Sequence, residues 1–267
     1  MGDNNIIDAD RYGPWAVIAG GSEGVGAEMA VQLAEAGINS VLVARKPEPL
    51  EATAERVRAA GAEARTISLD LTAEDAVARV REQTDDLDVG LFIYNAGANT
   101  YGHEFATCDL DAFQPLINLN VGAMLRFTRH FSELLAERGR GGIMLVGSMS
   151  GYVGMAKIAV YSAVKAFVRL FAEGLWMEMR EKGVDVVEFV LGLTRTPAME
   201  RAGLNLDGPN VNEPDDMARE GLANLANGPV YVASTCQAQI EHLSGTDRAA
   251  IVEQFNAGAA AMHPEDN

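Results

Sequence analysis

The chain has 267 residues, 48% of them hydrophobic, which suits a globular protein with a sizeable core. A formal net charge of −17 repels polyanions and no apolar run reaches the roughly eighteen residues needed to span a bilayer, so neither nucleic acid nor a membrane is an expected partner. Two distant cysteines (Cys108, Cys236) and four histidines without ligand spacing (His103, His130, His242, His263) suggest no disulfide and no metal, and the acidic residues 1–10 are no secretory signal, so a cytoplasmic location is expected.

Residues 15–19 form a short apolar run that ends in Gly20-Gly21-Ser22-Glu23-Gly24-Val25-Gly26, and 27–36 then read as a helix stopped by Gly37. Strand, glycine-rich turn and helix in that order bring bare backbone and the amide-lined end of a helix against a phosphate. Gly20, Ser22, Gly24, Val25 and Gly26 are therefore candidate cofactor-binding residues. A second strand over 38–44 delivers Arg45 and Lys46, and a helix follows over 50–60. In dinucleotide folds an acid at this strand end grips the ribose 2′-hydroxyl of NAD, whereas an arginine accommodates the 2′-phosphate of NADP. Here the acid is missing, so NADP is expected, with NAD as the alternative because Glu23 would oppose a nearby phosphate.

A third strand over 64–69 is closed by Asp70-Leu71, a polar helix runs to 84, and a fourth strand over 89–94 leads into Asn95-Ala96-Gly97. Strands alternating with helices predict an α/β fold: a Rossmann-type, doubly wound parallel sheet of about seven strands, with ligands beyond the carboxyl ends of the strands. Gly20, Arg45, Asp70 and Asn95 all fall at such ends. The spacing of Phe113, Leu116, Ile117, Val121, Met124, Leu125, Phe131 and Leu135 predicts one amphipathic helix over 109–136, with Asn120 inside it. A fifth strand over 141–147 delivers Ser148. The next helix carries Tyr161 and Lys165 at i and i+4 on one face, where an ammonium favours phenolate and is expected to draw the tyrosine down from its usual pKa of about 10. A sixth strand over 184–191, a helix over 213–225, a seventh strand over 228–233 and an alanine-rich helix over 247–262 complete the chain.

Five separated motifs, Gly20-x3-Gly24-x-Gly26, Asp70-Leu71, Asn95-Ala96-Gly97, Ser148 and Tyr161-x3-Lys165, together resemble the short-chain dehydrogenase/reductase family in its compact single-domain branch, over about 15–196. The resemblance implies hydride transfer between a nicotinamide and a carbonyl or alcohol. It makes Tyr161 the general acid in reduction and the base in oxidation. Lys165 would hold the nicotinamide ribose and lower the Tyr161 pKa, Ser148 would polarise the substrate oxygen, and Asn120 would fix a water that relays the proton. Thr196 aligns with the residue that contacts the nicotinamide carboxamide. Two departures stand out: Leu191-Gly192 replaces the usual Pro-Gly, and Tyr94 replaces the first asparagine of Asn-Asn-Ala-Gly, a change read as neutral.

One dinucleotide-binding domain is expected over 1–267, with a substrate lid over 196–212 and a divergent segment over 213–267. A homodimer through the helices around Asn120 and Tyr161 is expected in preference to a tetramer. Met149, Met155, Leu193 and Met199 are expected to line an apolar pocket, since thioethers adapt to bulky ligands. That favours an apolar ketone or secondary alcohol, steroid-like or fatty, as the small-molecule substrate. The alternative is a catalytically silent NADP(H)-binding sensor or scaffold, which would be expected to lose Tyr161 or Lys165. A nucleotide-sugar epimerase or dehydratase would need more chain than the seventy or so residues after Thr196.

Overall fold

The computed structural model describes residues 6–97, 101–208 and 210–260. Seven strands build one parallel sheet: β1 (Trp15–Ala19), β2 (Asn39–Ala44), β3 (Ala64–Ser68), β4 (Val89–Tyr94), β5 (Gly141–Ser148), β6 (Val184–Leu191) and β7 (Val230–Val232), in the order β3-β2-β1-β4-β5-β6-β7. β1, β4 and all but the last residue of β5 are buried along their length, as expected of parallel strands covered on both faces. From β1 the chain steps one way to β2 and later the other way to β4, which opens a crevice at the carboxyl edge between them.

A four-residue helix α1 (Ala9–Tyr12), capped by the Asp8 carboxylate, precedes the sheet. One face is covered by α2 (Gly24–Glu35) and α3 (Pro47–Ala59), whose Met29, Leu33, Leu50 and Val57 join the core beneath β1 and β2. α3 begins at its first proline and not at Leu50, because a helix's first turn needs no N–H from proline. The other face carries α4 (Ala76–Thr84), and its Val80 packs into a second core.

Residues 109–136 are helical as the spacing predicts, but not as one α-helix. After a 3₁₀ turn at Leu110–Phe113 come α5 (Gln114–Ile117), a π-helical turn at Asn118–Ala123 and α6 (Met124–Arg138). Two backbone oxygens here take side-chain donors: Leu116 O from Asn120 Nδ2 at 3.0 Å, and Leu119 O from Tyr94 Oη at 2.7 Å. Tyr94, whose replacement of asparagine reads as neutral in the sequence, thus ties β4 to the wide turn that presents Asn120.

α7 (Ala159–Met179) lies beside α6, and Phe127, Phe131, Val168, Ala172 and Leu175 fill the layer between these helices and the sheet. Beyond β6 come a short α8 (Pro197–Arg201), then α9 (Pro214–Ala223), α10 (Gln237–Leu243) and α11 (Arg248–Ala260). α9 packs Met217 and Leu222 against the α2 side. α10 is absent from the sequence reading, since seven residues with two glutamines give too short an apolar pattern to see. The expected end of the last helix at 262 lies outside the described residues. Among the described residues no helix is long and apolar enough to cross a membrane, and no three His, Cys, Asp or Glu side chains are grouped to hold a metal.

Candidate active site

The glycine turn is shaped by its neighbours at the carboxyl edge. Gly20 and Gly24 have φ of +88° and +57°, backbone that suits glycine, and α2 begins directly from the turn. Asn95, at the end of β4, donates from Nδ2 to Gly20 O at 2.8 Å; a Cβ on Gly26 would stand only 2.6 Å from that same nitrogen. Asn95 and the bare Gly26 backbone therefore hold one conformation of the turn. Ser22 O accepts from Thr53 Oγ1 at 3.1 Å, fastening the turn to α3, and Val25 is buried. This tight turn at the head of a twelve-residue helix fits the diphosphate of a dinucleotide.

Thr196 caps α8 by accepting from the Met199 N–H at 3.3 Å, and its methyl would lie 2.9 Å from a Cβ at Gly24. The start of the expected lid therefore rests on the glycine turn. Arg201, in α8, grips both carboxylate oxygens of Glu23, with Nη1 to Oε2 at 3.0 Å. That pairing offsets the negative charge that would otherwise oppose a phosphate here. Nothing in the sequence links these residues, which lie 178 positions apart.

At the end of β2, Arg45 and Lys46 are exposed, and neither side chain makes a hydrogen bond or ion pair that the described structure records. Both cations are available to a ligand. Asp70 accepts from the Thr72 N–H at 2.9 Å and hydroxyl at 2.7 Å, and these bonds, with Arg45 adding a weaker pull, hold its carboxyl below the usual range. Leu71 is buried. Ala96 lies against the turn, with its N 2.7 Å from where a Cβ on Gly20 would stand.

Ser148 ends β5 and caps the following 3₁₀ turn, accepting from the Ser150 N–H at 3.2 Å. Tyr161 is half-buried in the first turn of α7, with the Lys165 Nζ 5.9 Å from its ring centroid. Lys165 is buried, donates to Val146 O at 3.2 Å, and has its Nζ 2.8 Å from the point where a Cβ on Gly97 would sit. The Oδ1 of Asn120 is also 2.8 Å from that point. Gly97 is thus the gap through which α7 and the π turn approach each other. Ser148, Tyr161, Lys165 and Asn120 converge from three elements on the edge that also carries the glycine turn.

The electrostatics correct one expectation. Burial raises the Tyr161 pKa above 10, with Ser148 as the group that pulls it down, and Lys165 does not reverse this. The reason is the state of the lysine: burial brings Lys165 itself down to about 8, and the nearby Glu188 carboxylate pushes it back up. Lys165 therefore gives up its proton before Tyr161 does, so over the range where the phenol titrates its neighbour is largely an uncharged amine and pulls little on it. The phenol form of Tyr161 is accordingly the stable one, ready to donate a proton.

The four expected pocket residues are spread out. Met149 follows Ser148, with its sulfur 3.7 Å from a Cβ built at Gly192, and both it and Met155 pack partly against the core on the α2 side. Leu193 and Met199 are half-buried on the segment after β6.

The family model described as short chain dehydrogenase matches residues 14–206. A 7beta-hydroxysteroid dehydrogenase of Clostridium sardiniense is 30% identical over 228 residues, which cover 84% of this chain and 87% of that protein. A very-long-chain 3-oxoacyl-CoA reductase of Neurospora crassa is 33% identical over 206 residues, 75% of this chain and 62% of that one. Among solved structures, a short-chain dehydrogenase from Sphingobium yanoikuyae in complex with NADPH superposes with a TM-score of 0.76 at 27% identity, covering 95% of this chain and 96% of the other.

Proposed function

The chain belongs to the short-chain dehydrogenase/reductase family, and from that premise we propose that it transfers a hydride between NADP(H) and an apolar ketone or the matching secondary alcohol. The observation that carries the reading is the convergence of Ser148, Tyr161, Lys165 and Asn120 beside the glycine turn. Bound NADPH would supply the hydride. Gly20, Ser22, Gly24, Val25 and Gly26 would take its diphosphate, Arg45 and Lys46 its 2′-phosphate, and Asp70, Leu71, Asn95, Ala96, Gly97 and Thr196 would line the rest of the crevice.

In reduction the carbonyl carbon gains the hydride while its oxygen takes the Tyr161 phenolic proton, so an alcohol forms and Tyr161 is left as phenolate. Ser148 donates to the same oxygen as charge develops on it. The Lys165 ammonium would hold the nicotinamide ribose and stabilise the transient phenolate, and Asn120 would anchor the water through which Tyr161 regains a proton. Oxidation runs the same steps backwards, with the phenolate as base.

The apolar character of the substrate is supported by relatives named for a hydroxysteroid and a very-long-chain acyl substrate, with the half-buried Met149, Leu193 and Met199 as the apolar side chains that would meet it. The test is a panel of steroid, fatty and small ketones with NADPH or NADH, followed by nicotinamide absorbance. Turnover of bulky apolar ketones with NADPH is expected, with their ranking altered in Met149→Ala and Met199→Ala. A panel with no turnover despite cofactor binding would replace this reading with a silent sensor.

A homodimer is part of the same reading, supported by the exposed row Phe167, Leu170 and Met177 along α7. Sedimentation at micromolar protein is expected to give twice the 28.5 kDa chain mass; a species at the single-chain mass would remove it.

A further inference from the structure

Glu188 sits in the middle of β6 with none of its surface exposed, and neither carboxylate oxygen has a hydrogen-bond partner among the described residues. The space for it is made by Gly147, the residue before Ser148: a Cβ there would stand 2.6 Å from the Glu188 Cδ. Register alternation puts Glu188 on the same side of β6 as Val184 and Val186, which belong to the core under α6 and α7. The groups that act on it from that side are Lys165, Arg169 and Glu173, spaced four apart on α7. Tyr152, on the turn after Ser148, also feels its charge, and the Arg169 guanidinium lies 4.4 Å from the Tyr152 ring centroid.

A carboxylate buried without donors costs several kcal/mol, and so does an ammonium whose one recorded acceptor is a backbone oxygen. The two lie on facing elements and each supplies the charge the other lacks. Resting on the reductase reading above, we propose that Glu188 is a positioning residue for Lys165: its carboxylate keeps the ammonium charged and directed at the crevice beside Gly97 and Asn120. Charge reciprocity supports this. Burial lowers the proton affinity of Lys165 while Glu188 raises it. Burial raises that of Glu188 to about 8, with Lys165 and then Arg169 pulling it down and Glu173 pushing it up, so the two groups compete for one proton over the same pH range and it is the ionised Glu188 that holds the ammonium charged. Arg169 is the competing partner, but its guanidinium is half-exposed and drawn towards Tyr152, which leaves Lys165 the buried cation that depends on Glu188.

The test starts from the full chain without cofactor, so that it needs no turnover. Lysine side chains are isotope-labelled and titrated by NMR, with the Lys165 signal identified by its loss in Lys165→Met. In Glu188→Gln, which keeps the shape and removes the charge, the Lys165 midpoint is expected to fall by about one pH unit or more, a tenfold loss of proton affinity. Coupling between two sites is reciprocal. The infrared carboxylic acid band of Glu188 should therefore titrate at higher pH in Lys165→Met than in the natural chain. With NADPH and an accepted ketone, the basic limb of the kcat/KM profile should move to lower pH in Glu188→Gln and return towards its original place in Glu188→Asp.

An unmoved Lys165 midpoint in Glu188→Gln that melts normally by circular dichroism overturns the proposal. Should Glu188→Gln fail to fold, the infrared titration decides, and an unshifted Glu188 band in Lys165→Met overturns it. A chain that reduces no ketone yet shows both shifts retains the pair and loses only the reductase reading.

Discussion

Tyr161→Phe is expected to lower NADPH-dependent ketone reduction by about 10²–10⁴-fold while cofactor binding survives, the range that a positioned general acid contributes. The substitution removes one oxygen and leaves the ring that packs in the first turn of α7. Ser148 and Lys165 stay in place, so hydrogen bonding to the substrate and the ribose is preserved while the proton source is lost. The pH dependence follows from the direction of the Tyr161 shift. Because burial raises its pKa above 10, the phenol is the form present through neutral pH. Reduction, which uses the phenol, should not lose its proton donor at neutral pH. Oxidation uses the phenolate and should climb with pH through neutrality, since each unit below the pKa leaves about tenfold less of the base. Steady-state rates in both directions, with nicotinamide fluorescence for binding, check this. Activity in Tyr161→Phe within tenfold of the natural chain would end the acid–base assignment.

Arg45→Asp is expected to raise the Kd for NADPH on the order of tenfold to a hundredfold and to change that for NADH by less than about threefold, judged from hydrogen bonds to charged groups of about 1.5–3 kcal/mol. Arg45 is exposed and its side chain makes no hydrogen bond or ion pair that the described structure records, only a weak pull on Asp70, so its loss disturbs little within the protein. Aspartate does more than delete the cation: it repels a 2′-phosphate and offers an acceptor to a 2′-hydroxyl. Isothermal titration at two salt concentrations separates the effects, because the NADPH penalty should shrink as salt screens the exposed charge. Equal weakening of both cofactors would remove Arg45 from the 2′-phosphate site.

Much of this molecule can be read from the sequence because its signals are local. The apolar runs 15–19, 89–94 and 141–147 announce buried parallel strands, and the residue that follows each of them reaches the same edge. Gly20, Asn95 and Ser148 could be placed together for that reason, and Tyr161 joined them through the spacing of the family's motifs. The π turn could not, because the apolar spacing across Asn118–Ala123 is compatible with ordinary α-helix and the wider winding depends on partners such as Tyr94. Glu188 reads as one polar letter in a strand. Its link to Lys165 crosses 23 positions and depends on Gly147 lacking a side chain. The Tyr161 pKa is the instructive miss: spacing reports that a cation is near, whereas only burial reports how weakly that cation holds its proton.

The pairing of Arg201 with Glu23 leaves the proposed phosphate turn of this strongly acidic molecule locally neutral. The two charges cancel, so no mobile counterion need gather around the arginine. A diphosphate arriving beside the turn would then meet no bare carboxylate, whereas an arginine that left Glu23 for the phosphate would uncover that repulsion. Keeping the pair closed would leave the ionic-strength dependence of cofactor capture concentrated at the exposed Arg45 and Lys46.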